Sequence, residues 1–144
     1  MRCIKILIIT LCFNLLTSCS EDAYTKLETI NGYWEIEKVV FPNGETKEYK
    51  YNDLIDYINI NDSLKGFRKK LRPSLDGSFS ISKDVEGITA KVENDSLNLY
   101  YKTPYSQWKE TVLFSSENQL KILNQNNNVY FYKRYKALEI NLPE

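Results

Sequence analysis

From Asn31 onward, apolar and polar residues alternate along the chain. Trp34, Ile36, Lys38 and Val40 alternate with Glu35, Glu37 and Val39; Leu97, Leu99 and Tyr101 with Asn98 and Tyr100; Trp108, Glu110, Val112 and Phe114 share one parity, and Val129, Phe131 and Tyr135 another. In an extended chain successive side chains point to opposite faces, so this alternation places one side of each strand in a core. The abundance of Tyr, Val, Ile, Phe and Trp suits strands as well. Turn-forming groups separate the runs: Pro42-Asn43-Gly44, Asn61-Asp62-Ser63, Pro73 through Asp76-Gly77, Glu86-Gly87, Asn94-Asp95-Ser96, Ser115 through Asn118, and Asn124 through Asn128. The reading gives strands near 33–41, 47–51, 56–60, 66–71, 78–82, 88–94, 97–102, 107–114, 119–123 and 129–135. Eight to ten short strands with hairpin-length links predict an all-β fold, either an antiparallel sandwich or a small up-and-down barrel.

Two local signals refine this picture. Asp76-Gly77 suits a type I′ hairpin turn, in which both central residues need positive φ. Helix is expected only as short turns around 23–30 and 52–57. Thr25-Lys26-Leu27-Glu28 has the hydroxyl-to-carboxylate spacing of a capping box, and a helix there would plug one barrel end.

The first eighteen residues follow a different pattern: a cationic start (Arg2, Lys5), an apolar run from Ile6 to Leu16 broken by Asn14, then Thr17 and Ser18. That is signal-peptide anatomy, and the run is shorter than the roughly 20 residues of a spanning helix. Leu16-Thr17-Ser18-Cys19 resembles the bacterial lipobox. The resemblance implies cleavage before Cys19, a diacylglycerol on its sulfur and an acyl chain on the new amino terminus; no other cofactor is expected. At about 0.8 kcal/mol per buried methylene, such chains hold a domain on a membrane almost irreversibly. The implied layout is a cleaved signal peptide at 1–18, a lipidated cysteine and polar tether at 19–29, one β-domain at 30–138 and a tail at 139–144. Ser20-Glu21-Asp22 and the Asn-, Lys-, Ile- and Tyr-rich composition resemble surface-exported lipoproteins of the Bacteroidota, which implies an outer-membrane location with display at the cell surface.

Composition removes several function classes. Cys3 and Cys12 leave with the signal and Cys19 is consumed by lipid, so the mature domain has no disulfide and relies on its core. Removing Arg2 and Lys5 leaves 17 basic against 19 acidic groups, a near-neutral balance that argues against a nucleic-acid partner. Histidine is absent, which removes Ser-His-Asp and Cys-His nucleophile systems and the common transition-metal sites. Five glycines form neither a P-loop nor a dinucleotide fingerprint. Paired carboxylates are the remaining catalytic option, with Glu35 and Glu37 on one strand face and Glu110 in an inward parity.

Ile30-Asn31-Gly32-Tyr33-Trp34-Glu35-Ile36-Glu37-Lys38-Val39 resembles the opening strand of lipocalin-like proteins, and the stretch 30–138 resembles lipocalin-like lipoproteins of the Bacteroidota, most sharply at Gly32-Tyr33-Trp34 and Tyr132-Lys133-Arg134-Tyr135. The resemblance implies a small lipocalin-like barrel with Trp34 closing its base under a basic residue of the last strand, Lys133 or Arg134. Other lipocalin motifs are missing, and a barrel filled by its own aromatic side chains needs no cargo.

Candidate binding residues follow. Trp34, Phe67, Leu97, Leu99, Trp108, Val112 and Phe131 are expected to line the interior. In Phe67-Arg68-Lys69-Lys70-Leu71-Arg72 the two strand faces leave two possibilities. Either Phe67 and Leu71 face the core and Arg68, Lys70 and Arg72 form an outer cationic face, or those three cations face the lumen and hold a ligand's acidic end. Tyr100 or Tyr101, and Tyr130 or Tyr132, are expected at the surface. The functional expectation is a non-enzymatic, membrane-tethered barrel binding a small apolar or amphiphilic ligand. The alternatives are a filled barrel that contacts an envelope protein or glycan, and, remotely, a carboxylate-dependent hydrolase.

Overall fold

The computed structural model describes residues 22–137, apart from the side chains of Ser82 and Lys83. A helix α1 (Ala23–Ile30) precedes nine strands: β1 (Gly32–Val40), β2 (Thr46–Glu48), β3 (Ile55–Ile60), β4 (Lys65–Pro73), β5 (Phe79–Glu93), β6 (Ser96–Lys102), β7 (Gln107–Ser115), β8 (Gln119–Asn124) and β9 (Val129–Arg134). From β3 to β9 each strand pairs antiparallel with the next. β3 returns to the first half of β1 and β9 pairs with its other edge, closing an eight-stranded barrel. Short β2 covers the second half of β1, Lys38–Val40 facing Thr46–Glu48. Closure satisfies the backbone groups that an open sheet would leave at its edges.

The main departure from the sequence reading is at β5. The stretches 78–82 and 88–94 belong to one strand, and Glu86-Gly87 is not a turn: Gly87 pairs with Phe67 on one side and Lys102 on the other. A register shift opposite Lys69–Leu71 bends this long hairpin. Its far end lies over the outside of β1, where the Phe79 ring stacks on Tyr33 at 5.3 Å. The hairpin tip at Asp76-Gly77 has positive φ only at Gly77, so it is not the type I′ turn expected there. That geometry occurs instead between β5 and β6, where Asn94 and Asp95 have φ of 50° and 59°.

Segment 52–57 is not helical, since β3 begins at Ile55, whereas 23–30 is. Asp22 rather than Thr25 caps α1, its carboxylate accepting from the Tyr24 amide. The helix lies across one end of the barrel and buries Ala23 and Ile30 in the core with Trp34, Ile58, Leu97, Leu99, Val112, Leu120 and Ile122. Each such aliphatic side chain contributes about 1.5–3 kcal/mol on burial.

Candidate functional site

The base of the barrel is sealed by a cation over an indole. The Arg134 guanidinium sits 3.7 Å from the centre of the Trp34 ring, and Trp34 Nε1 donates to the Ile30 carbonyl at 2.7 Å. Arg134 itself donates to the carbonyls of Glu117, Asn31 and Thr29 at 2.7, 2.8 and 2.9 Å, tying β9 to the end of α1 and the β7–β8 turn. Partial burial lowers its pKa from the ordinary guanidinium value. Gly32 makes room for it: φ is +127°, and a Cβ there would lie 2.3 Å from Arg134 Nη1. Of the two basic residues suggested by resemblance, Arg134 is the partner. Lys133 faces outward, 3.4 Å from the Glu35 carboxylate.

Further up the lumen lies a buried charge network. Arg68 is 7 % exposed and donates to Glu86 at 2.5 Å and to Glu110 at 3.2 Å. Its guanidinium also lies 4.4 Å from the Tyr101 ring centre, and Tyr101 stacks on Trp108 at 5.0 Å. Burial works against the charge of Arg68, but Tyr101, Glu110 and Asp56 together hold its pKa well above the usual guanidinium value. Asp56, buried in the same layer, forms an ion pair with Lys70. Burial pushes the phenols of Tyr101 and Tyr132 well above their normal range.

The structure decides between the two orientations of β4 in favour of inward Arg68 and Lys70. Phe67 therefore points outward, beside Tyr57 at 5.9 Å and not in the lumen. Phe131 also lies outside, under Lys38 and Lys121, because β9 turns Tyr130 and Tyr132 inward. Those two tyrosines share one parity, so neither is the surface residue expected of the pair; Tyr101 is inside and Tyr100 outside, as alternation requires. Trp34, Leu97, Leu99 and Val112 are interior with 0–1 % exposure, and Trp108 is partly covered at the mouth. Side chains with so little free surface line no water-sized void. Arg72 lies beyond the register shift in β4 and is exposed. Cys19 and the rest of 1–21 lie outside the described residues.

A groove of about 840 Å³ runs along the outer wall, between the seam of β1 and β9 and the bent end of the β4–β5 hairpin. Its cations are Lys50, Arg72, Lys133, Arg134 and Lys136, and its acids are Glu35 and Asp53. Tyr51, 93 % exposed, and Tyr135 flank them. Asn52 holds one wall, donating to Glu35 at 3.1 Å and to the Ile36 carbonyl at 2.7 Å. Of these residues only Arg72 was a sequence candidate for binding. The groove joins the chain before β3, the end of β4 and the end of β9, a juxtaposition invisible to periodicity. Asp56 and Glu86 were missed in the lumen; the parity of Ile58 and Ile60 marks Asp56 as inward, whereas Glu86 was hidden by its turn-like neighbour Gly87.

Among the described residues no cluster of three or more acids could hold a metal, and no helix is long and apolar enough to cross a membrane. No curated protein matches the sequence. A solved lipocalin-like protein from Bacteroides uniformis is 8 % identical, with a TM-score of 0.46 over 73 % of this chain and 97 % of that one. The family model of the lipocalin-like domain matches residues 30–122, most of the barrel from Trp34 at its base to the charge network in its lumen. A ligand-binding type of barrel is thus the architecture at hand, and the chain belongs to the lipocalin-like domain family.

Proposed function

We propose that this protein is a non-enzymatic binding barrel, tethered to the outer membrane by lipid on Cys19, that holds a small amphiphilic ligand in the groove on its outer wall. The observation that carries the reading is the contrast between the two candidate places. Trp34, Leu97, Leu99 and Val112, at 0–1 % exposure, leave no water-sized space around them, while about 840 Å³ stands open outside with cations and tyrosine rings around it. That volume lies within the usual range of small-molecule sites, about 300–1,000 Å³. Glu86 and Glu110 both spend their charge on Arg68, which supports a role without acid–base catalysis. The anchor rests on the Leu16-Thr17-Ser18-Cys19 motif and the signal-like segment before it.

One observation favours a second reading, a cargo at the barrel mouth: Arg68 faces the lumen beside partly covered Trp108. An acidic ligand there would have to displace Glu110, leaving a carboxylate buried without its cation, which is costly. Native mass spectrometry of the protein purified from its own organism separates the two. A co-purifying small mass that disappears in Pro73→Trp and persists in Trp108→Leu supports the groove; the reverse pattern supports the mouth. Labelling with a fatty-acid analogue tests the anchor, and label retained by Cys19→Ala would sink it.

A further inference from the structure

Among the described residues, three of the groove's cations have no ion-pair partner. Lys133 is engaged by Glu35, and Arg134 by Trp34 and three backbone carbonyls. Lys50, Arg72 and Lys136 make no ion pair among the described residues, although all three line one cleft. A folded chain with near-equal numbers of acids and bases has carboxylates to spare for pairing, yet only Asp53 and the committed Glu35 reach this cleft. Five cations against two acids along one cleft create a positive potential, and an arginine fork with lysine point charges matches an oxyanion carrying more than one charge. A carboxylate leaves part of that charge unanswered; a phosphate monoester, with about −1.5 to −2 at neutral pH, does not.

Location adds a second line. Arg134, in the groove wall, bonds the carbonyls of Thr29 and Asn31 at the end of α1, so the groove opens at the α1 end of the barrel. A chain tethered through Cys19 enters α1 at its other end, Ala23, about 10 Å along the helix from Thr29, so the barrel end that carries the cleft is also the end at which the anchored segment joins.

Resting on the proposed use of the groove, we infer that its ligand is a phosphate monoester with an apolar or ring body: Lys50, Arg72 and Lys136 meet the phosphate, and Tyr51 and Tyr135 flank the body. The phosphate is that of a lipid headgroup or of a free phosphorylated small molecule.

Calorimetric titration of the full lipidated chain in uncharged detergent micelles tests this with three probes: dihexanoyl phosphatidic acid, glycerol 3-phosphate, and dihexanoyl glycerol, which has the same body without the phosphate. Phosphatidic acid should bind, and Arg72→Gln with Lys136→Gln should weaken it at least about tenfold, the loss expected for one or more charge-assisted hydrogen bonds. Binding should also weaken as salt rises. Unchanged thermal melting shows that the double variant folds, and Lys50→Gln, on an exposed loop, gives an independent check. If glycerol 3-phosphate binds comparably, the source is a free phosphate ester; if only phosphatidic acid binds, it is a lipid. Dihexanoyl glycerol binding as tightly as phosphatidic acid, with no effect of the three substitutions, overturns the phosphate inference and leaves the groove in use. Silence from all three probes overturns the inference, while the mass spectrometry of Pro73→Trp still judges the groove by itself.

Discussion

Arg134 and Gly32 occupy one space: the arginine's Nη1 lies where a side chain at position 32 would begin, 2.3 Å from the Cβ that glycine lacks. This explains why the first residue of the barrel is a glycine. The cation that closes the base must reach past β1 to the end of α1, and only a bare backbone lets it through.

Gly32→Ala should therefore destabilise the protein by about 2 kcal/mol or more, from strain at positive φ and displacement of Arg134. Arg134→Ala removes the cation over Trp34 and three carbonyl partners, for about 2–4 kcal/mol. Because the two changes share a cause, urea denaturation of the double variant should show a loss smaller than the sum of the single ones. Strict additivity would separate the two residues. Lys133→Ala, which loses one exposed ion pair, should cost under about 1 kcal/mol.

Arg68→Met should be among the most damaging changes, at about 3–5 kcal/mol, because it leaves Glu86 and Glu110 facing each other without a cation. Adding Glu110→Gln to that variant should recover part of the loss. Equilibrium unfolding of both checks this, and no recovery would mean that Arg68 acts through packing on Tyr101 alone.

Inside and outside can be told apart by truncation. Leu99→Ala removes a fully buried side chain and should cost about 2–5 kcal/mol. Phe131→Ala and Phe67→Ala remove rings that lie under lysines on the outer wall, and each should cost about 1 kcal/mol. Equal losses at Leu99 and Phe131 would contradict the placement of β9.

Alkaline titration reports on the lumen. Burial holds the phenols of Tyr101 and Tyr132 above their ordinary value of about 10. A group whose pKa is raised by folding contributes its full stability below the unfolded pKa. That contribution is lost as pH climbs from about 10 toward the folded value, since the unfolded chain releases the protons first. In absorbance at the tyrosinate band, the contribution of Tyr101 and Tyr132 should appear only together with unfolding, above the ordinary phenol range. A single wave at about 10 would mean that the lumen is wet.

Alternation made the barrel legible, because a closed antiparallel sheet with one buried face writes its parity directly into the chain. It failed where the ladder slips. The shift opposite Lys69–Leu71 and the bend of β5 made Gly87 look like a turn and hid Glu86, one of Arg68's two carboxylates. The seal over Trp34 was readable only as a resemblance carried by two short motifs, which left Lys133 and Arg134 as alternatives; the contact of Arg134 with Gly32 and α1 that decides between them is not local. The outer groove was not readable, since Lys50, Arg72 and Lys136 are ordinary solvated cations until β4, β9 and the chain before β3 meet in space.

The measurement that bears most directly on the outer-wall account is amide chemical-shift mapping of the isotopically labelled protein during titration with dihexanoyl phosphatidic acid. A ligand on the outer wall should shift residues 50–53, 72–73 and 133–136 alone, with Leu97, Leu99 and Val112 unmoved. Shifts centred on Arg68, Trp108 and the interior of β6 and β7 would contradict it and return the ligand to the barrel.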